Sequence, residues 1–263
     1  SNVAVGANAL DANTTASSNT AVGSNALTSN TTGEQNVGVG LGSLIDNTTG
    51  SENVAVGLGA LGDNTTANQN TAVGQEAMRL NTIGASNTAV GRQSLFANTT
   101  GDFNTSVGIN AGGELTTGDN NLFLGLNAGR AASPSGLITT GSNNVCLGNN
   151  SITNAFIKVA FTVTSDKRDK IEDGVVSHGL DFVNQLKPKS FWFRKNRDSD
   201  EKHGDKRYGF YAQDILALEG SNPVVIDNKD PENLKYKGDQ LIPILVKAIQ
   251  ELTIEVNKLK SNG

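Results

Sequence analysis

The residues best equipped for chemistry in this chain lie close together. Ser165-Asp166-Lys167-Arg168-Asp169-Lys170-Ile171 places a hydroxyl, two carboxylates and three cations in one short run. A serine hydroxyl becomes a nucleophile when a base takes its proton, and a lysine is that base only while its amine is neutral. Spacing alone does not bring Ser165 and Lys170 together, so on its residue types the run also reads as a polar linker. Two His and one Cys are too few for a metal site rich in either, so neither a metal nor a cofactor is expected. Asp198 to His203 lacks the ligand spacing of a cation loop and reads as a solvated hairpin tip. Gly38-Val39-Gly40-Leu41-Gly42 is followed by neither a helix nor an acidic partner, so it is no phosphate loop.

The elements that must position the Ser165 run belong to two different polymers. Residues 1–164 carry 9 acidic and 4 basic side chains and 23 of the 30 Gly, whereas residues 165–263 carry 17 of each sign, the single Trp and both His. All of the net charge of −5 thus sits in the first part, and domains of 1–164 and 165–263 are expected. Without a broad basic surface no nucleic acid is expected as a partner. No window approaches the roughly 18 apolar residues of a membrane span, so no membrane insertion is expected. The chain opens inside a repeat and without an initiator Met, as expected of a piece of a longer protein.

The first part repeats every 17 residues: Asn2, Asn19, Asn36, Asn53, Asn70, Asn87, Asn104 and Asn121 mark the period. Three residues after each Asn comes Val (Leu124 in the last copy), then Gly. Leu10, Leu27, Leu44, Leu61, Met78 and Leu95 follow at the eighth position, and Asn-Thr-Thr-Gly or a variant closes the unit. Gly at this density penalises a helix by about 1 kcal/mol per residue. Two short strands per unit fit instead, one from Asn-x-Ala-Val-Gly and one from the segment ending in Leu. The closing run has turn chemistry, which also accounts for the Asn-Thr-Thr triplets without glycosylation. Stacked coils give parallel ladders about 4.8 Å apart, so nine coils make a β-solenoid on the order of 43 Å long. A ninth unit, Asn144 to Gly148, follows Asn121 by 23 residues, and its insert near 131–138, with Pro134, is expected to loop out. Cys146 takes the strand position usually held by Ala and is expected simply to pack. Residues 155–164 read as a final apolar strand. So few large apolar residues per coil make a poor core for a single chain. The small Ala4, Ala21, Ala55, Ala72 and Ala89 are expected to let neighbouring chains approach, so a homotrimer is expected.

The Asn-x-Ala-Val-Gly-x-x-Ala-Leu unit resembles the left-handed parallel β-roll of trimeric autotransporter adhesin heads, which is also used in phage tail fibres. That resemblance implies a trimer and names no ligand. In the second part, Leu180 to Phe191, Arg207-Tyr208-Gly209-Phe210-Tyr211-Ala212-Gln213-Asp214, Tyr236 and Leu241 to Leu252 follow the Ser165 run. Residues 165–263 resemble the C-terminal intramolecular chaperone domain of phage endosialidases, tailspikes and neck appendages. The resemblance implies an α+β domain and self-cleavage at the Ser165–Asp166 junction, with Ser165 as nucleophile and Lys170 as its base. Arg168, a nearby cation, is expected to favour the neutral amine. Asp169 stands where relatives have an apolar residue and is expected to favour the charged amine and slow cleavage.

Ile242, Leu245, Ile249, Leu252, Val256 and Leu259 step by three and four, a heptad seam on a helix expected over about 239–260. Such a seam suits either a coiled coil, here of three strands, or an amphipathic helix packed on its own domain. A shared threefold axis would hold three chains in register while a slow-forming parallel stack nucleates. Trp192 with Phe191 and Phe193 is expected to form the second domain's core. The expected whole is a trimeric shaft of a phage tail fibre or spike, located in the virion, with a host cell-surface receptor as partner. Its chaperone domain is expected to fold in the host cytoplasm. The alternatives are a bacterial trimeric surface adhesin head, or the same fibre with a trimerisation cap that does not cut.

Overall fold

A computed structural model describes residues 1–158, 165–195 and 197–262, which fall into two compact units, Ser1–Ile152 and Thr153–Gly263. In the first unit nine three-residue strands stack as one parallel sheet in chain order among the described residues. They are β1 (Val3–Val5), β2 (Thr20–Val22), β3 (Val37–Val39), β4 (Val54–Val56), β5 (Thr71–Val73), β6 (Thr88–Val90), β7 (Thr105–Val107), β8 (Leu122–Leu124) and β9 (Val145–Leu147). Each residue pairs with its counterpart one repeat away, as in Ala55 with Ala72, so the unit is a parallel β-solenoid.

Buried asparagines fix the period. The Asn53 backbone N–H donates to Asn36 Oδ1 at 3.0 Å, Asn70 to Asn53 at 3.0 Å and Asn87 to Asn70 at 2.9 Å. Each Nδ2 also donates across its own coil, as Asn70 does to the Gly84 carbonyl at 2.8 Å. A second column runs through Asn30, Asn47, Asn64, Asn81 and Asn98, joined by amide-to-amide bonds of 2.8–3.0 Å. It stops where the repeat places Leu115, and Asn98 Oδ1 is left buried without a hydrogen bond among the described residues. Buried amides satisfied from coil to coil tolerate no slip of register, because a slip would leave several polar groups dry and unpaired.

Each coil holds one strand, not the expected two. The segment ending in Leu alternates left-handed residues, such as Asn25 (φ 56°) and Leu27 (φ 51°), and an extended strand cannot accommodate them. Its backbone still bonds between coils: the Leu27 N–H donates to the Ser43 carbonyl at 3.0 Å. The Gly after each Val has a steric reason, since at Gly40 (φ 135°) a Cβ would lie 2.5 Å from the Gly57 oxygen.

The core is the column of Leu27, Leu44, Leu61, Met78 and Leu95 against the middle residues of the strands. Ala21, Ala55, Ala72 and Ala89 are fully buried within the chain, so they do not form the close-approach surface expected of them. Strand alternation turns them inward and turns their neighbours outward. The outward set is apolar too: Val5, Val22, Val73, Val90, Val107, Leu124 and Leu147 are exposed in a row. Towards the end of the solenoid the packing is exchanged by volume. Gly112 takes the place of the core Leu, and Phe123, replacing Ala, fills the space; a Cβ on Gly112 would lie 2.7 Å from its ring. Residues 131–136 loop out as turns, after which Ile138 returns to the core and Thr116 bonds Thr139 in the resumed register. Of the expected strand at 155–164, residues 155–158 are not strand, and 159–164 lie outside the described residues.

The second unit contains α1 (Leu180–Gln185), the antiparallel ribbon β10 (Lys189–Arg194) and β11 (Lys202–Gly209), α2 (Ala212–Glu219), the pair β12 (Ile226–Asp227) and β13 (Lys235–Tyr236), and α3 (Leu241–Ser261). Pro243 falls in the first turn of α3, where its missing N–H is harmless. The core is Phe182, Ile215, Val225, Ile226, Leu241 and Ile244. It does not include Trp192, Phe191 or Phe193. These lie on the two-stranded ribbon, which no helix or further strand covers among the described residues, and Trp192 is 38% exposed with Lys202 Nζ 3.9 Å from its ring centre. The strand ends of the ribbon are bridged by ion pairs of Arg194 with Asp200 (2.8 Å) and Lys195 with Glu201 (3.0 Å).

Candidate active site

Five residues of extended chain would carry Lys170 about 17 Å from Ser165. A single 3-10 turn, Lys167–Asp169, folds it back instead. Asp166 caps the turn: Oδ1 accepts the Arg168 backbone N–H at 2.9 Å, and the Arg168 guanidinium closes on the same carboxylate at 2.6 and 3.1 Å. The Lys170 N–H then donates to the Lys167 carbonyl at 3.2 Å. This places Lys170 Nζ 2.5 Å from Ser165 Oγ and 3.4 Å from the Ser165 carbonyl oxygen. The amine therefore touches both the hydroxyl and the carbonyl of the residue that precedes the Ser165–Asp166 bond, and both side chains are exposed.

Arg168 turns to Asp166 and makes no hydrogen bond to Lys170 among the described residues. The guanidinium holds the Asp166 carboxyl below the usual carboxylate range, and the carboxylate in turn raises the Arg168 pKa. Asp169 forms no ion pair with Lys170 among the described residues, so its expected influence is reduced to that of an adjacent, solvated charge.

The α3 helix has two apolar faces. Leu241, Ile244 and Ala248 are buried against the unit's core, while Ile242, Leu245, Ile249, Leu252, Val256 and Leu259 are exposed, Ile249 by 63% and Leu259 by 74%. The helix thus packs on its own domain through one face and presents the heptad seam on another.

Three positioning residues escaped the sequence reading because side-chain bonds to distant backbone leave no spacing signal. Lys247 Nζ donates to the Val176 carbonyl at 2.7 Å, and the Glu251 carboxylate accepts the Leu180 N–H at 2.6 Å. Glu251 thereby caps α1, whose N-cap residue, Gly179, has no side chain to do so and sits so close to the carboxylate that a Cβ would collide. Glu219, at the end of α2, accepts the N–H groups of Val224, Val225 and Ile226 at 2.8, 2.6 and 3.0 Å and holds that loop against the core.

Residues 165–221 match the family described as chaperone of endosialidase, a match that begins at Ser165 and ends before β12, Tyr236 and α3. No curated protein and no solved structure matches the chain.

Proposed function

We propose that this chain is the trimeric, left-handed β-roll shaft of a phage tail fibre or spike. Its C-terminal unit acts as an intramolecular chaperone that assembles three chains and cuts the Ser165–Asp166 bond with Ser165 and Lys170. The carrying observation is the contact of Lys170 Nζ with Ser165 Oγ and the Ser165 carbonyl oxygen, at the first residue of the family match. A neutral Lys170 accepts the hydroxyl proton and still has N–H groups to offer the carbonyl oxygen, which gains charge as the bond breaks.

Trimerisation is supported by two surfaces that the single chain leaves uncovered: the outward Val and Leu row of the solenoid and the α3 seam. Rows of this kind are rare on soluble monomers, and a closed symmetric assembly of identical chains buries both. Three seams pairing in parallel would align three copies of Asn2 to Asn144 before any long-range ladder forms, when a parallel stack is slowest to nucleate. Attachment of the fibre to a host receptor and its place in the virion belong to the same proposal.

Intact mass under denaturing conditions tests the cleavage. Fragments 1–165 and 166–263 are expected from the wild-type chain on prolonged incubation. They should be lost in Lys170→Met and slowed at least a hundredfold in Ser165→Ala. A wild-type chain that stays whole would make the unit a permanent cap.

A further inference from the structure

Resting on that reading, we infer that the oxygen which cuts the Ser165–Asp166 bond comes from water, with Ser165 relaying a proton to Lys170 and never becoming acylated. The carbonyl to be attacked belongs to Ser165 itself. An attack by Oγ on it would close a ring of Cα, Cβ, Oγ and the carbonyl carbon. Each angle of such a four-membered ring is bent by roughly 20° or more, and bond-angle strain rises with the square of the deviation. A covalent intermediate helps only if it replaces one hard step with two easier ones, and this one does not. Attack on the preceding carbonyl would close an unstrained five-membered ring, but it would break the bond between residues 164 and 165 instead.

The geometry favours water at the junction itself. Lys170 Nζ lies 2.5 Å from Oγ and 3.4 Å from the carbonyl oxygen of the same residue, and both side chains are open to solvent. A water bonded to Ser165 Oγ attacks the carbonyl carbon and passes a proton to Oγ as the hydroxyl proton moves to Lys170 Nζ. An N–H of the amine holds the oxygen on which negative charge collects. The tetrahedral centre then collapses, the C–N bond breaks, and the Lys170 ammonium returns its proton to the Asp166 nitrogen. One water is consumed, a carboxylate forms on Ser165, and Asp166 becomes an amino terminus. Ser165 is here a proton relay and Lys170 the base.

The test is to let the full-length protein cleave with and without neutral hydroxylamine, which captures esters and lactones as hydroxamates, and to weigh the fragments. The water route predicts fragments 1–165 and 166–263, no hydroxamate and an unchanged rate. It also predicts that Ser165→Ala, shown by circular dichroism and sedimentation to be assembled as the wild type, is cut at the same junction about 10²- to 10⁴-fold more slowly. A hydroxamate on residue 165 would mean acyl transfer, within a chain or between chains. Fragments 1–164 and 165–263 would mean transfer from the preceding residue. Either result overturns the water route while self-cleavage stands, as does a Ser165→Ala chain with no cleavage where a 10⁴-fold slower reaction would register. A wild-type chain that never cuts overturns self-cleavage and the water route together.

Discussion

Replacing Asn70 by Ala removes one rung of the amide column in the middle of the solenoid. The Asn70 Oδ1 accepts the Asn87 backbone N–H at 2.9 Å, and its Nδ2 donates to the Gly84 carbonyl at 2.8 Å. Asn70 is fully buried, so the substitution leaves the Asn87 N–H without a partner and without water, while the Gly84 carbonyl keeps the bond from Asn81 Nδ2 at 2.9 Å. At about 1–3 kcal/mol for a buried orphan, the coil should lose about 1–3 kcal/mol. In a local-opening regime that is roughly a 5- to 150-fold fall in amide protection for peptides spanning Asn87. Hydrogen exchange read by mass spectrometry on the full chain measures this coil by coil, with Thr66→Ala, exposed at the end of the preceding coil, as the control. Asn70→Asp sharpens the test. It keeps an acceptor for Asn87 but turns a carboxylate oxygen towards the Gly84 carbonyl in a dry site, where burial raises the carboxyl pKa. A group whose folded pKa is raised contributes most below its unfolded value and least above its folded one, so the Asp variant should regain protection on acidification. Asn70→Ala protection within twofold of Thr66→Ala, or an Asp variant indifferent to pH, would refute the view that the ladder holds the coils together.

Three further outcomes are expected. Asp169→Leu should quicken cleavage by only about two- to threefold in a mass-spectrometric time course, because a solvated charge with no ion pair acts weakly; no change would remove Asp169 from the site. Glu219→Ala strands the N–H groups of Val225 and Ile226 in the core and should lower the stability of the second unit by about 3 kcal/mol. Its thermal unfolding can be followed by Trp192 fluorescence, and a melting temperature within about 2 °C of wild type would contradict that role. Ile249→Asp puts a charge on the exposed seam without touching the buried face of α3; sedimentation should show smaller species with secondary structure retained, and an unchanged mass would exclude the seam from assembly.

The period of the solenoid was legible because Asn, Val and Gly each recur for a reason that repeats in every coil. The interior was misjudged where a residue's direction mattered more than its size. Ala21 and Ala55 are small because they face Leu across a narrow core, which a linear pattern cannot distinguish from smallness that admits a neighbour. The single strand per coil was hidden because Leu27 and Leu44 adopt a left-handed backbone (φ 51° and 52°) that their side chains do not favour. At the candidate site the run of residue types was visible, but the fold-back that joins Ser165 to Lys170 depends on Asp166 capping its own turn. The aromatic run around Trp192 looked like a core because hydrophobicity does not reveal that the ribbon, among the described residues, lies outside the cluster around Phe182 and Ile215.

The uniform spacing of the amide column also governs how such a chain can change in length. Gaining or losing whole 17-residue coils leaves every donor opposite an acceptor of the same kind, so the solenoid can lengthen or shorten in increments of about 4.8 Å with no new side chains. An insertion of any other size must be expelled sideways before the phase resumes, as happens between Thr116 and Thr139. Unequal recombination among near-identical repeats would thus be silent structurally and would act on reach alone, making length a heritable quantity that varies in steps.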